Sequence, residues 1–326
     1  MNSRRSAPCP RRRGPVMLVA ALSVPLLVAG ACGTAAGPPP AASARPGESA
    51  SAGSGASGGT SSGPASPGTT TSSATAPRAP ATGSTGAAGR HITTAVYLLH
   101  AGHISPAPRT VTAPATAAGS VRALLAGPDG YERGHDRTSA IPPGTTLHSV
   151  AVRDQVATVD LSGRYDDGGG TVSLRARLAQ VVFTVTRYPG IRKVGFELDG
   201  KPVSSFGAAG IVLNGPVGRA DFEDVSPAVL VESPLMGEGI SSPLRVRGSA
   251  DTFEAEFRLK VTDVSGRTAA DVLVRASSGT GTRGTFDVTL PYKAARTGPG
   301  LLTAYFISPE NGRPVIVDTV PLTVNR

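Results

Sequence analysis

The chain has 326 residues, no tryptophan, and only two cysteines, Cys9 and Cys32. Nothing after residue 32 can therefore form a disulfide or a cysteine-built metal site. An exported fold of this composition must be held by its core alone. Lysine is scarce as well, four against 28 arginines, as a GC-rich bacterial genome would give. Residues 33–90 lack aromatics entirely, and only Arg45, Glu48, Arg78 and Arg90 are charged. Such a stretch of Ala, Gly, Ser, Thr and Pro cannot bury enough apolar surface to offset its ordering entropy, so 32–90 reads as a disordered N-terminal tether. As a coil it would average about 40 Å end to end.

The first 31 residues contain five arginines and no acid, and the run from Val16 to Val28 is predominantly apolar, broken once by Pro25. That run is short of the roughly 20 residues a membrane span needs. A basic start, a short apolar stretch and a small-residue exit make 1–31 a secretory signal peptide. The exit, Ala29-Gly30-Ala31-Cys32, resembles a bacterial lipobox, which implies lipid attachment at Cys32 and a membrane anchor through it. The alternative is an ordinary signal peptide that ends near a cysteine.

The formal charge of +9 is carried mostly by the leader and the tether. Residues 91–220 carry +4 and residues 221–326 carry −2. Neither stretch has the basic stripe of a nucleic-acid binder. Some 235 residues remain to fold, enough for two domains with their own cores.

In 91–215, Thr94 to Leu99 and Arg109 to Ala113 read as strands, and Ala115 to Ala126 as a helix stopped at Gly127-Pro128. Leu147 to Leu161 reads as a hairpin turning at Asp154-Gln155. From Thr171, the expected N-cap, to Arg187, residues Leu174, Leu178, Val181, Val182 and Val185 make one apolar helical stripe. Arg175, Arg177, Gln180 and Arg187 fall off that stripe. A strand at Val194 to Leu198 and a short return at Val203 follow an Asp199-Gly200 turn. The expected architecture is a two-layer α+β domain, with two helices on a mixed sheet.

The ordered segments "LLAGP", "SAIPPGTTLHSV", "ATVDLS", "LAQVVFTVT" and "VGFELDGKPV" resemble the GerMN domain, known from bacterial sporulation and germination proteins and from envelope lipoproteins. The family brings no catalytic residues to carry over. Between Leu99 and Arg109 the chain departs from the pattern, with "HAGHISPAP" in place of a polar turn.

In 228–326, strands are expected at 229–232, 244–248, 255–262, 270–276, 284–292, 301–308 and 315–324, separated by turns such as "DVSG" and "PENG". About seven short alternating strands in about 100 residues indicate an all-β immunoglobulin-like sandwich. The frame "VESPLMGEGISSPLRVRGSAD" with "YFISPENG" is similar to the immunoglobulin-like domain of bacterial spore germination proteins. Between the two domains, 215–227 reads as a polar, turn-rich linker that would let each fold alone.

Candidate chemistry is sparse. His100 and His103 are three apart in a Pro-Gly loop without a third ligand, so no metal site is expected. His148 lies near Asp160 on its hairpin partner, but no serine completes a triad. "DDGGG" at 166–170 precedes a helix but lacks the Lys-Ser or Lys-Thr of a phosphate-binding loop, and Asp166 and Asp167 read as solvated. No nucleophile, base and orienting group coincide. The expectation is a non-catalytic, cofactor-free protein on the outer face of the bacterial cell membrane. Its partner would be another envelope protein or, alternatively, a cell-wall glycan polymer.

Overall fold

The computed structural model describes residues 90–207 and 210–326. The stretch read as a signal peptide, Cys32 and nearly all of the residues to 90 lie outside them. Strand β1 (His91–His100) and strand β2 (His103–Thr112) form an antiparallel hairpin in unbroken register, from His91 opposite Thr112 to His100 opposite His103. The two-residue turn Ala101-Gly102 has φ of +49° and +83°, which suits a tight primed hairpin turn. β2 thus begins at His103 rather than Arg109 and runs through Pro106 and Pro108. Both prolines stand on the edge strand of the β2-β1-β3 sheet, where a missing N–H costs no ladder bond.

Helix α1 (Ala117–Leu125) starts at Thr116, whose side chain accepts from the Gly119 amide. A short helix α2 (Gly130–Gly134) lies in the stretch read as a loop. It is built by a capping box in which Asp129 accepts from the Glu132 amide and Glu132 from the Asp129 amide. Strand β3 (Arg137–Thr138) then pairs with the end of β1. Strands β4 (Leu147–Arg153) and β5 (Val156–Leu161) form the expected hairpin, with positive φ at Asp154 and Gln155.

Helix α3 (Thr171–Val185) is the crossover from β5 to the parallel strand β6 (Lys193–Leu198). Strand β7 (Lys201–Pro202) closes that sheet, and β8 (Ser205–Phe206) pairs with β9 (Ile211–Val212). The N-cap of α3 is Gly170 rather than Thr171, and no side chain caps it. The expected stripe is buried, but so are Arg177, Gln180, Phe183 and Thr184, because α3 packs against β1 and β2 as well as β6. Where one sheet was expected, the strands make two main sheets, β2-β1-β3 and β4-β5-β6-β7, on both of which helices pack, and a separate two-stranded β8-β9 ribbon.

The stretch read as a linker is folded. A 3-10 segment, Arg219–Val225, buries Phe222 and Val225 and packs on α3. Arg175 of α3 lies 5.2 Å over the Phe222 ring and bonds both oxygens of Asp224.

The second half is a sandwich. Strands β10 (Val229–Ser233), β12 (Leu244–Ala250) and β15 (Gly284–Leu290) form one sheet, in the order β10-β12-β15. Strands β11 (Gly239–Ile240), β13 (Glu256–Thr262), β14 (Thr268–Arg275), β16 (Gly298–Ile307) and β17 (Pro314–Val324) form the other, in the order β11-β17-β16-β13-β14. The alternation expected of these strands is present: Phe257, Leu259 and Val261 are buried on one face of β13, as are Phe286 and Leu290 on one face of β15, with Val288 between them half-buried. Phe257 of one sheet meets Phe286 of the other, ring centroids 4.8 Å apart, and so fills the centre where antibody domains place a tryptophan and a disulfide. Gly248 is required there, since a Cβ would lie 2.0 Å from the Leu230 carbonyl oxygen and 2.8 Å from the Phe286 ring.

Candidate functional site

The residues singled out in the sequence do not converge. His103 Nδ1 lies 3.2 Å from its own turn carbonyl at Ala101, while His100 Nδ1 faces Asp318 of β17 at 3.7 Å. His148 pairs with Asp199, Nε2 to Oδ1 3.1 Å, and not with Asp160. A register irregularity in β4 puts Ser149 rather than His148 opposite Asp160. Asp160 is buried and accepts from the Gly200 amide, and Asp166 accepts from the Gly207 amide. Asp167 gives its backbone carbonyl to Arg177, so the two neighbouring aspartates serve different turns. Among the described residues, no three His, Cys, Asp or Glu side chains gather as a metal site. Cys32 lies outside those residues.

The groups that do converge sit where the two halves meet. Tyr97 of β1 is fully buried in a strand apolar on both faces, so its hydroxyl needs a partner. It donates to Glu232 of β10. Arg219, from the 3-10 segment, donates Nη1 to the same Glu232 oxygen at 2.7 Å, Nε to Thr186 Oγ1 at 3.0 Å and Nη2 to the Phe183 carbonyl at 3.3 Å. Its guanidinium also covers the Tyr97 and Phe183 rings at 5.3 and 4.8 Å.

Burial, followed by the Glu232 charge, pushes the Tyr97 hydroxyl up to about 12. Burial alone would raise Glu232, but Arg219 and the Tyr97 hydroxyl outweigh it and hold the carboxyl below its usual range. Burial would likewise lower Arg219, and Tyr97 and Glu232 raise it instead. Two more contacts cross the junction. Arg137, buried beside β1, donates to the Thr319 carbonyl at 2.7 Å, and Arg283 donates to Glu223 at 2.8 Å and to the Pro227 carbonyl at 2.9 Å.

A cleft of about 790 Å³ opens over this junction. One wall is the end of α3, with Thr186 and Arg187, together with Arg219. The other is a row across the smaller sheet of the sandwich, Ser233, Arg247 and Asp287, which are cross-strand partners in that order. Both oxygens of Asp287 are taken by Arg245, at 2.7 and 2.6 Å. Arg187 and Arg247 are exposed. Neither has a carboxylate partner within salt-bridge distance among the described residues.

Sequence reasoning missed this site because its members are far apart in the chain. One signal was present: "AVYLL" is apolar on both faces of a strand, which requires cover on both sides and a partner for the tyrosine hydroxyl.

Residues 95–204 match the family model described as sporulation and spore germination, and residues 228–313 match the model described as the immunoglobulin-like domain of bacterial spore germination. Together the matched stretches take up more than half of the chain. Among solved structures, the tandem GerMN domains of the sporulation protein GerM from Bacillus subtilis are 11% identical, with a TM-score of 0.35 and coverage of 62% of each chain. The first GerMN domain of the same protein is 16% identical, with a TM-score of 0.32, covering 39% of this chain and 98% of that one. A Clostridium perfringens protein described as a lipoprotein is 21% identical, with a TM-score of 0.30, covering 42% and 93%. The chain thus spans about 62% of the length of the tandem GerM structure. No curated protein matches it. On both halves the assignment agrees with the motifs: the chain carries a GerMN-type sporulation and germination domain, followed by the immunoglobulin-like domain of bacterial spore germination.

Proposed function

We propose that this chain is a non-catalytic, lipid-anchored envelope protein of the sporulation and germination type, which works by presenting a docked pair of domains to an envelope protein partner. Cys32 is its anchor and the stretch 32–90 its spacer. The observation that carries this reading is how the strongly perturbed groups are used. Tyr97, Glu232 and Arg219 bond one another across the two halves, and Arg137 bonds the far half's backbone. Side chains so engaged fix one domain against the other and have no free proton to trade. Asp160 and Asp166 are likewise committed to backbone amides. Among the described residues no helix is long and apolar enough to cross a membrane.

The test is complementation of a strain lacking the protein. Cys32→Ala should release the chain from the membrane fraction and abolish function. Alanine at His100, His103, His148, Asp160, Asp166 or Asp167 should leave function within a few-fold, since loss of a general acid or base costs about 10²–10⁴-fold. A folded, anchored alanine variant that is dead would overturn the non-catalytic reading.

A further inference from the structure

The cleft at the domain junction has a charge imbalance that the fold does not use. Its two carboxylates are already matched, Glu232 by Arg219 at 2.7 Å and Asp287 by Arg245 at 2.6 Å. That leaves Arg187 on the α3 wall and Arg247 on the sheet wall, two guanidinium groups lining one cavity without a carboxylate partner within salt-bridge distance among the described residues. Each acts only at longer range, Arg187 on Glu232 and Arg247 on Asp287. Two unneutralised cations on facing walls of a partly shielded cleft repel each other and concentrate anions.

The shape narrows the class of anion. A carboxylate is planar and satisfies one arginine fork, whereas a phosphoryl group directs oxygens several ways and can meet guanidiniums from two walls at once. The cavity, about 790 Å³, is far larger than a phosphate. The rest of its lining is Gly248, Phe286 and the hydroxyl-bearing Thr186, Ser233 and Thr285, and of these the Thr186 hydroxyl already donates to the Val182 carbonyl and accepts from Arg219. A polar body attached to the phosphoryl group would fill it and meet the Ser233 and Thr285 hydroxyls.

We propose that this cleft binds a phosphorylated sugar or polyol, its phosphoryl group held between Arg187 and Arg247. The site goes beyond the contact reading and does not depend on it, because a protein partner can dock elsewhere on the surface.

Calorimetric titration of the full chain with glycerol 3-phosphate at low salt tests the assignment. The expected result is one saturable site that weakens as salt rises, with acetate at least tenfold weaker and glycerol silent. The double variant R187A/R247A should lose at least tenfold in affinity, and Arg313→Ala, on a remote turn, should lose none. Arg187 and Arg247 are exposed, so melting should shift by no more than about 2 °C. The charge-preserving pair R187K/R247K, which keeps the cations but not the forks, should bind a few-fold more weakly than wild type. Retained affinity in R187A/R247A, equal binding of acetate, or binding seen only with phosphatidylglycerol vesicles would overturn the proposal.

Discussion

In the second half, β13 alternates half-buried and buried residues along its whole length, and the two inner faces close on Phe257 and Phe286. In the first half, α3 has eleven of its fifteen residues buried, among them Arg177, Gln180 and Thr184. Both halves must bury a core without disulfides, but one does it with apolar faces and the other with polar side chains bonded inside the core. The reason lies in the sheets. Every strand in the middle of the sandwich finds a strand on each side. β1 does not, because β3 is only two residues long and leaves β1 unpaired on that side from Tyr97 backward. Buried backbone groups there would be orphaned. Thr184 accepts from the Tyr97 amide at 3.0 Å and Gln180 donates to the Tyr97 carbonyl at 3.1 Å, so the helix supplies what a strand would have.

The largest effect should come from removing that substitute. Gln180→Leu roughly keeps the volume but removes the amide, and so strands the Tyr97 carbonyl and the Ala140 amide, which now donates to Gln180 at 2.8 Å. One buried and one half-buried orphan cost about 2–4 kcal/mol together. Denaturant unfolding of the full chain measures it. A loss below about 1 kcal/mol would break the contrast between the halves.

The junction gives the next effect, and it is read by pH. Tyr97 has a folded pKa of about 12 against an ordinary 10.0. A raised pKa favours the fold fully below pH 10, and the benefit disappears as pH rises through 12. Linkage puts the loss at about 2–3 kcal/mol over that window. Burial raises Tyr165 too, so Tyr97→Phe should remove only its own share of the alkaline slope. Glu232 has the opposite sign. Its lowered pKa gives stability that is present above the ordinary carboxylate range and lost as pH falls through the folded value. An alkaline slope identical in wild type and Tyr97→Phe would show that the tyrosine does not lock the junction.

A smaller cost is expected in the sandwich. Phe257→Leu is an apolar exchange between packed faces and should cost about 1–1.5 kcal/mol in the same unfolding experiment. The ease of reading this half has the same origin. Period-two alternation survives in a strand covered on one face, and the expected strands lie within a few residues of those observed. In the first half the apolar stripe of α3 was legible, but the burial of Arg177 and Gln180 was not, since nothing local says that a second sheet covers that face. β2 was cut short because Pro106 and Pro108 look like breakers until the chain is known to run at an edge. The short 215–227 segment hid its packing behind charge and turns: Val217, Phe222 and Val225 stand apart among them with no regular spacing, and their burial comes from packing on α3 and the neighbouring core. The cleft was illegible altogether, because its arginines come from a helix end, a 3-10 segment and a strand that sequence spacing does not bring together.

The smallest effect belongs to the pair that most resembled chemistry in the sequence. His148 and Asp199 are both well exposed, and the median exposed ion pair is worth about 0–1 kcal/mol. His148→Ala should therefore move stability by less than about 0.5 kcal/mol. Asp199→Ala should cost more, about 0.5–1.5 kcal/mol, because its second oxygen accepts from the Gly163 amide at 3.1 Å and holds the turn after β5. The difference between the two variants contains that amide bond together with the easier fit of Asp than Ala at the Asp199 φ of +50°. It also bears on function. If His148 worked as a base oriented by Asp199, both variants would be dead in complementation while only one was appreciably less stable. If the carboxylate simply ties a turn, activity should follow stability and both should complement. Equal, severe loss of function in the two, with folding intact, would reassign this surface pair from structure to catalysis.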